Sequence, residues 1–266
     1  MLDLALYLVA GVLAGLTAAL FGLGGGLAVV PILYISLPHL GISHFEVMHV
    51  AVGTSLTVMV VTSLDAAYTH HRRHDVLWPV VAKIAPTMAC GAAVAAFCSQ
   101  FLPTHWLRYL FIALIAYVIF RALTKKGFTG EYALSDMEPI PRALAAAFGL
   151  FNGALAALLG SGGGPLTVPF LRRFKLPMVN AAGISSTLSA PVALCGSVGY
   201  MIAGGSDPSR PDWSTGYVYW PAVAGLALGI LIGVPLGTKL SHHFSDKLEA
   251  RLYVAFLIVI LAVMVF

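Results

Sequence analysis

The chain alternates long apolar runs with short polar breaks, and the run lengths give the first element assignments. A helix needs about 20 apolar residues to cross the hydrocarbon of a bilayer. Runs of that order cover 4–21, 46–68, 77–99, 106–123, 142–160, 180–203, 217–239 and 248–266. Two shorter runs, 27–37 and 165–171, fall well below it, and each directly follows a cluster of glycines. The one long polar stretch, TKKGFTGEYALSDMEPIP at 124–141, divides the chain near its middle. The pattern predicts an all-α polytopic membrane protein with a first transmembrane repeat over 1–123, a linker over 124–141 and a second repeat over 142–266.

The two halves echo each other. FGLGGGLAVVP at 21–31 aligns without a gap on LGSGGGPLTVP at 159–169. Gly22, Gly24, Gly25, Gly26 and Pro31 then fall on Gly160, Gly162, Gly163, Gly164 and Pro169, 138 residues on. Trp78-Pro79 and Trp220-Pro221 each open an apolar run, 142 residues apart, and Gly91 falls on Gly233 with the same offset. Gly53-Thr54-Ser55 has a looser echo in Gly183-Ile184-Ser185. Internal duplication of this kind underlies many transporter folds.

The basic residues decide whether the short runs count as membrane elements. If they do not, one side holds Arg72, Arg73, Arg121, Lys125, Lys126, Arg142 and Arg210. The other then holds Arg108, Arg172, Arg173, Lys175, Lys239, Lys247 and Arg251, and no bias results. If they do, Arg108 and Arg210 stand alone on one side, and the other loop lysines and arginines gather on the opposite side. That asymmetry is the one expected of cytoplasmic loops. The reading is therefore two inverted repeats of about five elements, four full spans plus one short broken helix each. The linker is cytoplasmic and both termini lie outside. The runs 27–37 and 165–171 read either as full crossings or as arms of re-entrant hairpins.

Composition sharpens the class. The chain has 266 residues, 59% hydrophobic and only 10% charged, with mean hydropathy +0.90, whereas a soluble domain carries about 25% charged residues. A water-facing surface cannot be covered by so few charges. The net charge of +4 is scattered through short loops and forms no basic patch, so nucleic acid is not an expected partner. Cys90, Cys98 and Cys195 fall in apolar runs without metal-ligand spacing, so no metal or cofactor is implied. The N-terminal MLDLALYLVAGVLAGL has no basic segment and carries Asp3, which reads as a retained helix. No nucleophile-base set, P-loop or HExxH motif is present, and an enzyme is not expected.

The glycine clusters carry the candidate chemistry. Backbone that leaves a helix inside the bilayer must find partners in protein or in a wetted cavity. Glycine permits the break and lets a ligand approach the main chain. The short segment after each cluster starts at a helix N-terminus, whose free N–H groups and positive dipole end favour an anion. Candidate ligands are Gly24, Gly25 and Gly26 from one break and Ser161, Gly162, Gly163 and Gly164 from the other. Hydroxyls and an amide at Thr54, Ser55, Asn152, Thr167, Ser185, Ser186 and Thr187 could add neutral donors. Each is also an ordinary helix-packing residue in membranes. Glu46, His49, Asp65 and Lys83 are ionisable residues at or within spans and are candidates for proton coupling. The blander expectations are a local Glu46–His49 pair at the membrane edge, Asp65 paired with His70, His71, Arg72 or Arg73, and Lys83 snorkelling. HHRRH at 70–74 and His242-His243 read as interfacial anchors.

Two halves, each with an apolar helix, a G-x-G-G-G-type break and a following proline, resemble the sulfite exporter TauE/SafE family, as does the GTS motif at Gly53 to Ser55. The resemblance covers nearly the whole chain. It implies secondary transport of sulfite, organosulfonates or related small sulfur-containing anions across the bacterial inner membrane. The matching positions are Gly22, Gly24 to Gly26, Gly53 to Ser55, Gly160 and Gly162 to Gly164. The second GTS copy departs from the pattern, reading Gly183-Ile184-Ser185-Ser186. Expected partners are a small anion and the lipid bilayer, with coupling protons and a homodimer as further candidates. A passive anion channel and an intramembrane enzyme are the alternatives.

Overall fold

In hydrocarbon the backbone must satisfy its own hydrogen bonds, so apolar runs of this length fold as helices. The structure is a computed structural model and describes residues 2–21, 26–43, 45–124, 132–205, 210–241 and 246–265. Among the described residues ten α-helices form: α1 (Leu2–Phe21), α2 (Gly26–Ser36), α3 (Val47–Arg72), α4 (Trp78–Cys98), α5 (Thr104–Thr124), α6 (Arg142–Leu159), α7 (Gly164–Arg173), α8 (Met178–Gly204), α9 (Trp220–Ser241) and α10 (Asp246–Val265). Six of them are long and apolar enough to cross a membrane. The chain is an all-helical, multi-pass membrane protein. Five helices precede the polar stretch at 124–141 and five follow it.

α2 has 11 residues and α7 has 10, which makes each about 15–17 Å long, roughly half the hydrocarbon thickness. Each carries an internal proline, Pro31 or Pro169, and each begins at its glycine cluster. The sequence expectation for 217–239 needs a boundary correction. Val218 and Tyr219 pair with Ser214 and Thr215 as a two-stranded hairpin, β1 (Ser214–Thr215) and β2 (Val218–Tyr219). α9 starts only at Trp220, with Pro221 in its first turn, where a missing N–H costs nothing.

The first helix of each half lies along the fourth helix of the other: α1 along α9, and α6 along α4. α3 crosses α8 at the centre, and α5 touches α10. Lipid tails give no hydrophobic drive for helix association, so close van der Waals packing through small residues has to supply it. Gly11 and Gly15 on α1 face Gly229 and Gly233 on α9; a Cβ on Gly15 would lie 2.8 Å from the Cα of Ile230. Gly149 and Gly153 on α6 face Thr87, Met88 and Gly91 on α4 in the same way. Gly11 and Gly15 precede Gly149 and Gly153 by the 138 residues that separate the glycine clusters.

The segments after α3 and α8 also match in detail. His74 and Gly216 both adopt left-handed backbone, with φ of 59° and 56°. The next residue in each case bonds back to a long central helix: Asp75 N–H to His70 O at 3.1 Å, and Tyr217 N–H to Tyr200 O at 3.2 Å. Each segment then meets the early part of the other central helix, at Gly183 for Asp75 and at Gly53 for Tyr217. On the α7–α8 connection, Lys175 contacts Glu138 at 2.6 Å, which raises the lysine above its ordinary pKa through that hydrogen bond. The pair is exposed and so screened by salt.

Candidate functional site

The two glycine breaks meet. Gly26, the first residue of α2, lies so close to the carbonyl of Gly160 that a Cβ there would overlap it, and would lie 2.6 Å from Met59 Sδ. Gly160 in turn faces Val30 of α2 and Ser55 of α3. The N-terminal residue of α2 therefore meets the C-terminal end of α6, four residues before α7 begins at Gly164.

The second break is held open by its own side chains. Gly160, Gly162 and Gly163 have φ of 63°, 67° and 82°, left-handed values that glycine adopts without strain. Ser55 donates to the Gly160 carbonyl at 3.2 Å, and Ser189 to the Gly162 carbonyl at 2.9 Å. Asn152 donates to the Gly163 carbonyl at 3.2 Å and to Thr167 Oγ1 at 2.9 Å. Thr167 donates to that same carbonyl at 2.9 Å. With the carbonyls bound on one side, the amides of Gly162, Gly163 and Gly164 donate to no acceptor among the described residues. Asn152, Ser161, Gly163, Pro165 and Leu166 line a narrow crevice here, which admits no water-sized sphere.

Several predicted positions sit in this cluster: Gly26, Ser55, Asn152, Ser161 and Gly162 to Gly164. Ser185 is buried, with its hydroxyl near Gly164, and Ser186 is half-buried on the same helix. Gly24 and Gly25 lie outside the described residues. Thr54 lies elsewhere: its hydroxyl accepts the Tyr219 N–H at 3.1 Å, under the β-hairpin. Ser189 was missed, although it lies one turn beyond Ser185, on the same helix face.

The ionisable candidates find other partners than the sequence suggested. Glu46 does not pair with His49. It receives both Nε and Nη2 of Arg210, each at 2.9 Å, because the segment after α8 folds over the start of α3. His49 is buried, bonds the Ser99 carbonyl at 2.9 Å, and lies 3.3 Å from the Thr104 hydroxyl. The carboxylate that meets His70 is Asp75, at 2.9 Å, and not Asp65. Asp65 and Lys83 are exposed on α3 and α4 and make no ion pair among the described residues.

Two half-length helices that start at glycine clusters, packed among long apolar helices, define the class: a polytopic membrane protein. The sulfite exporter TauE/SafE family model matches residues 7–265. The chain belongs to that family of membrane transporters. It is 28% identical over 257 residues to a probable membrane transporter protein of Haemophilus influenzae, covering 96% of this chain and 95% of that one. A probable membrane transporter protein of Methanocaldococcus jannaschii is 29% identical over 253 residues, covering 93% and 90%. YdhB of Bacillus subtilis, also a probable membrane transporter protein, is 25% identical over 236 residues, covering 86% and 87%. No solved structure matches the chain significantly.

Proposed function

We propose that the protein is a secondary transporter, working as an exporter, that moves small sulfur-containing anions such as sulfite or organosulfonates across the bacterial inner membrane. The observation that carries this reading is the meeting of the two glycine breaks at Gly26 and Gly160. The N-terminus of α2 lies at this point and that of α7 begins four residues further along the chain, and helix N-termini carry partial positive charge. The amides of Gly162, Gly163 and Gly164 would bind the oxyanion, together with Gly24, Gly25 and Gly26. Ser161, Ser185 and Ser186 would complete the shell, while Ser55 and Asn152 hold the loop carbonyls aside.

Two inverted repeats, 1–123 and 142–266 joined by 124–141, would alternate around this site. The cross-wise pairing of α1 with α9 and of α6 with α4, and the matched segments at His74 and Gly216, support that symmetry. The charge asymmetry of the loops supports termini outside. Coupling protons would use His49, whose ring is buried beside Tyr217, centroids 5.0 Å apart. Glu46, Asp65 and Lys83 would be the other candidates for coupling protons.

Thermal unfolding of the purified protein with sulfite, sulfate, thiosulfate, sulfoacetate and taurine tests this, with carboxylates as controls. Ligand at a hundredfold excess over its Kd should add about 2.7 kcal/mol, read as a rise in Tm. A rise confined to sulfur oxyanions supports the proposal. A cooperative melt that none of them shifts, even at millimolar concentration, counts against it.

A further inference from the structure

The segment 210–219 is fastened to the start of α3 more heavily than a surface connection requires. Arg210 makes a bidentate ion pair with Glu46, with its side chain only 7% exposed. Its Nη1 also donates to the carbonyls of Gly204, at 2.6 Å, and Gly216, at 3.2 Å. The guanidinium lies over the Tyr217 ring, 4.4 Å from its centroid. Beneath it, the Tyr217 carbonyl presses on Gly53, and the Tyr219 N–H is held by Thr54. A planar guanidinium in two-point contact with a carboxylate fixes geometry as well as energy. The whole hairpin thus covers the end of α3 that leads, within one turn, to Ser55 and the glycine breaks.

The corresponding segment at the other end of the bundle, 73–77, covers the start of α8 with different chemistry. Asp75 contacts His70 at 2.9 Å, and Asn180 donates to the Asp75 carbonyl at 2.9 Å. Among the described residues no arginine pairs with Asp75, and the His70 and Asp75 side chains are 25% and 16% exposed. The two segments share backbone shape but are fastened unequally.

We propose that residues 210–219 form the gate on one face of the transporter, latched by Arg210 and Glu46, and that 73–77 form its more weakly latched counterpart on the opposite face. This rests on the alternating-access reading above. A two-state carrier needs closures that break one at a time, and a half-buried, two-point charge pair that survives only in one state is a suitable bistable element. The unequal latches bias the protein toward closure at the 210–219 face.

The test uses the full chain with Cys90, Cys98 and Cys195 replaced by serine and a single reporter, Thr54→Cys, under the hairpin. Labelling by a membrane-impermeant thiol reagent is followed in vesicles of both orientations. Glu46→Gln should raise the labelling rate from the 210–219 face about tenfold, equivalent to about 1.4 kcal/mol in the closed–open balance. The charge-exchanged double variant, Glu46→Arg with Arg210→Glu, should bring the rate back down. An unchanged rate in Glu46→Gln, in protein that inserts normally, overturns the latch. If Glu46→Gln fails to insert, a second arm decides. In the cysteine-free background without the reporter, Glu46→Cys with Arg210→Cys is bridged by a reducible bifunctional thiol reagent, and sulfite flux is measured in liposomes. Flux blocked by the bridge and restored on reduction supports the gate. Flux that continues through bridged protein removes the gate and leaves the transporter reading intact. Faster labelling without sulfite flux in any form, the parent included, supports the gate and removes the substrate assignment.

Discussion

Replacing Gly163 with valine is expected to eliminate binding of the anion while leaving insertion into the membrane intact. Gly163 has φ of 82°, a conformation that costs an L-residue about 1–2 kcal/mol and a β-branched one more. A Cβ there would lie 2.6 Å from Met88 Cε and 2.9 Å from Asn152 Nδ2. Met88 can move its terminal methyl. Asn152 cannot retreat without giving up its bonds to the Gly163 carbonyl and to Thr167. The loop must then rotate, and the amides of Gly162 to Gly164 move with it. A hydrogen bond to a charged group contributes about 1.5–3 kcal/mol. Loss of two such bonds predicts an affinity lower by a factor on the order of 100 or more. Titration of the variant with sulfite, read by thermal shift, checks this. Binding within a few-fold of the parent would detach the anion site from the glycine loop. Gly25→Val should act alike from the first break.

The largest effect on stability is expected at Gly153, away from the site. A Cβ on Gly153 would overlap the Met88 carbonyl oxygen and lie 2.7 and 2.8 Å from the Met88 C and Cα atoms. These are backbone atoms of α4, so no rotamer change relieves the contact. Leucine there must push α6 away from α4 along their whole shared length. In lipid, that packing is the main source of association, with no hydrophobic compensation when it is lost. Gly153→Leu should therefore cost about 4 kcal/mol or more, in the class of severe overpacking. The folded yield in detergent and the Tm measure it. Gly41→Ala is the contrast: φ is 84° but nothing lies within 4 Å of its Cβ position, so only backbone strain of about 1–2 kcal/mol applies. A Gly153→Leu protein that melts within a degree or two of the parent would mean that the α4–α6 contact is not a structural seam.

Much of the site could be read in advance because glycine punctuation is local. The GGG runs marked where α2 and α7 begin, and Pro31 and Pro169 fall inside those helices. Asn152, Ser55 and Ser161 were found by their nearness in sequence to the breaks or to the GTS motif. Their direction was not. A serine before folding has no preference between an anion and a carbonyl, and Ser55 reaches Gly160 across 105 residues. Arg210 was visible only as a charge on a loop. Its pairing with Glu46, 164 residues away in sequence, has no local signal.

The sequence by itself determined the membrane class, the helix positions and the two breaks. Each of these follows from composition within a window of about 20 residues, because lipid forces every backbone segment to satisfy itself. Tertiary structure alone decided which partner each polar group took. Glu46 and His49 lie three residues apart, yet α8 brings Arg210 to one of them, and the α4–α5 turn brings Ser99 and Thr104 to the other. Asp65 precedes His70 by five residues and Asp75 follows it by five, yet only Asp75 is turned back onto the ring by the left-handed residue at His74. Such choices depend on how helices cross, and the crossings are set by where glycines let backbones touch: Gly15 against Ile230, and Gly153 against Met88.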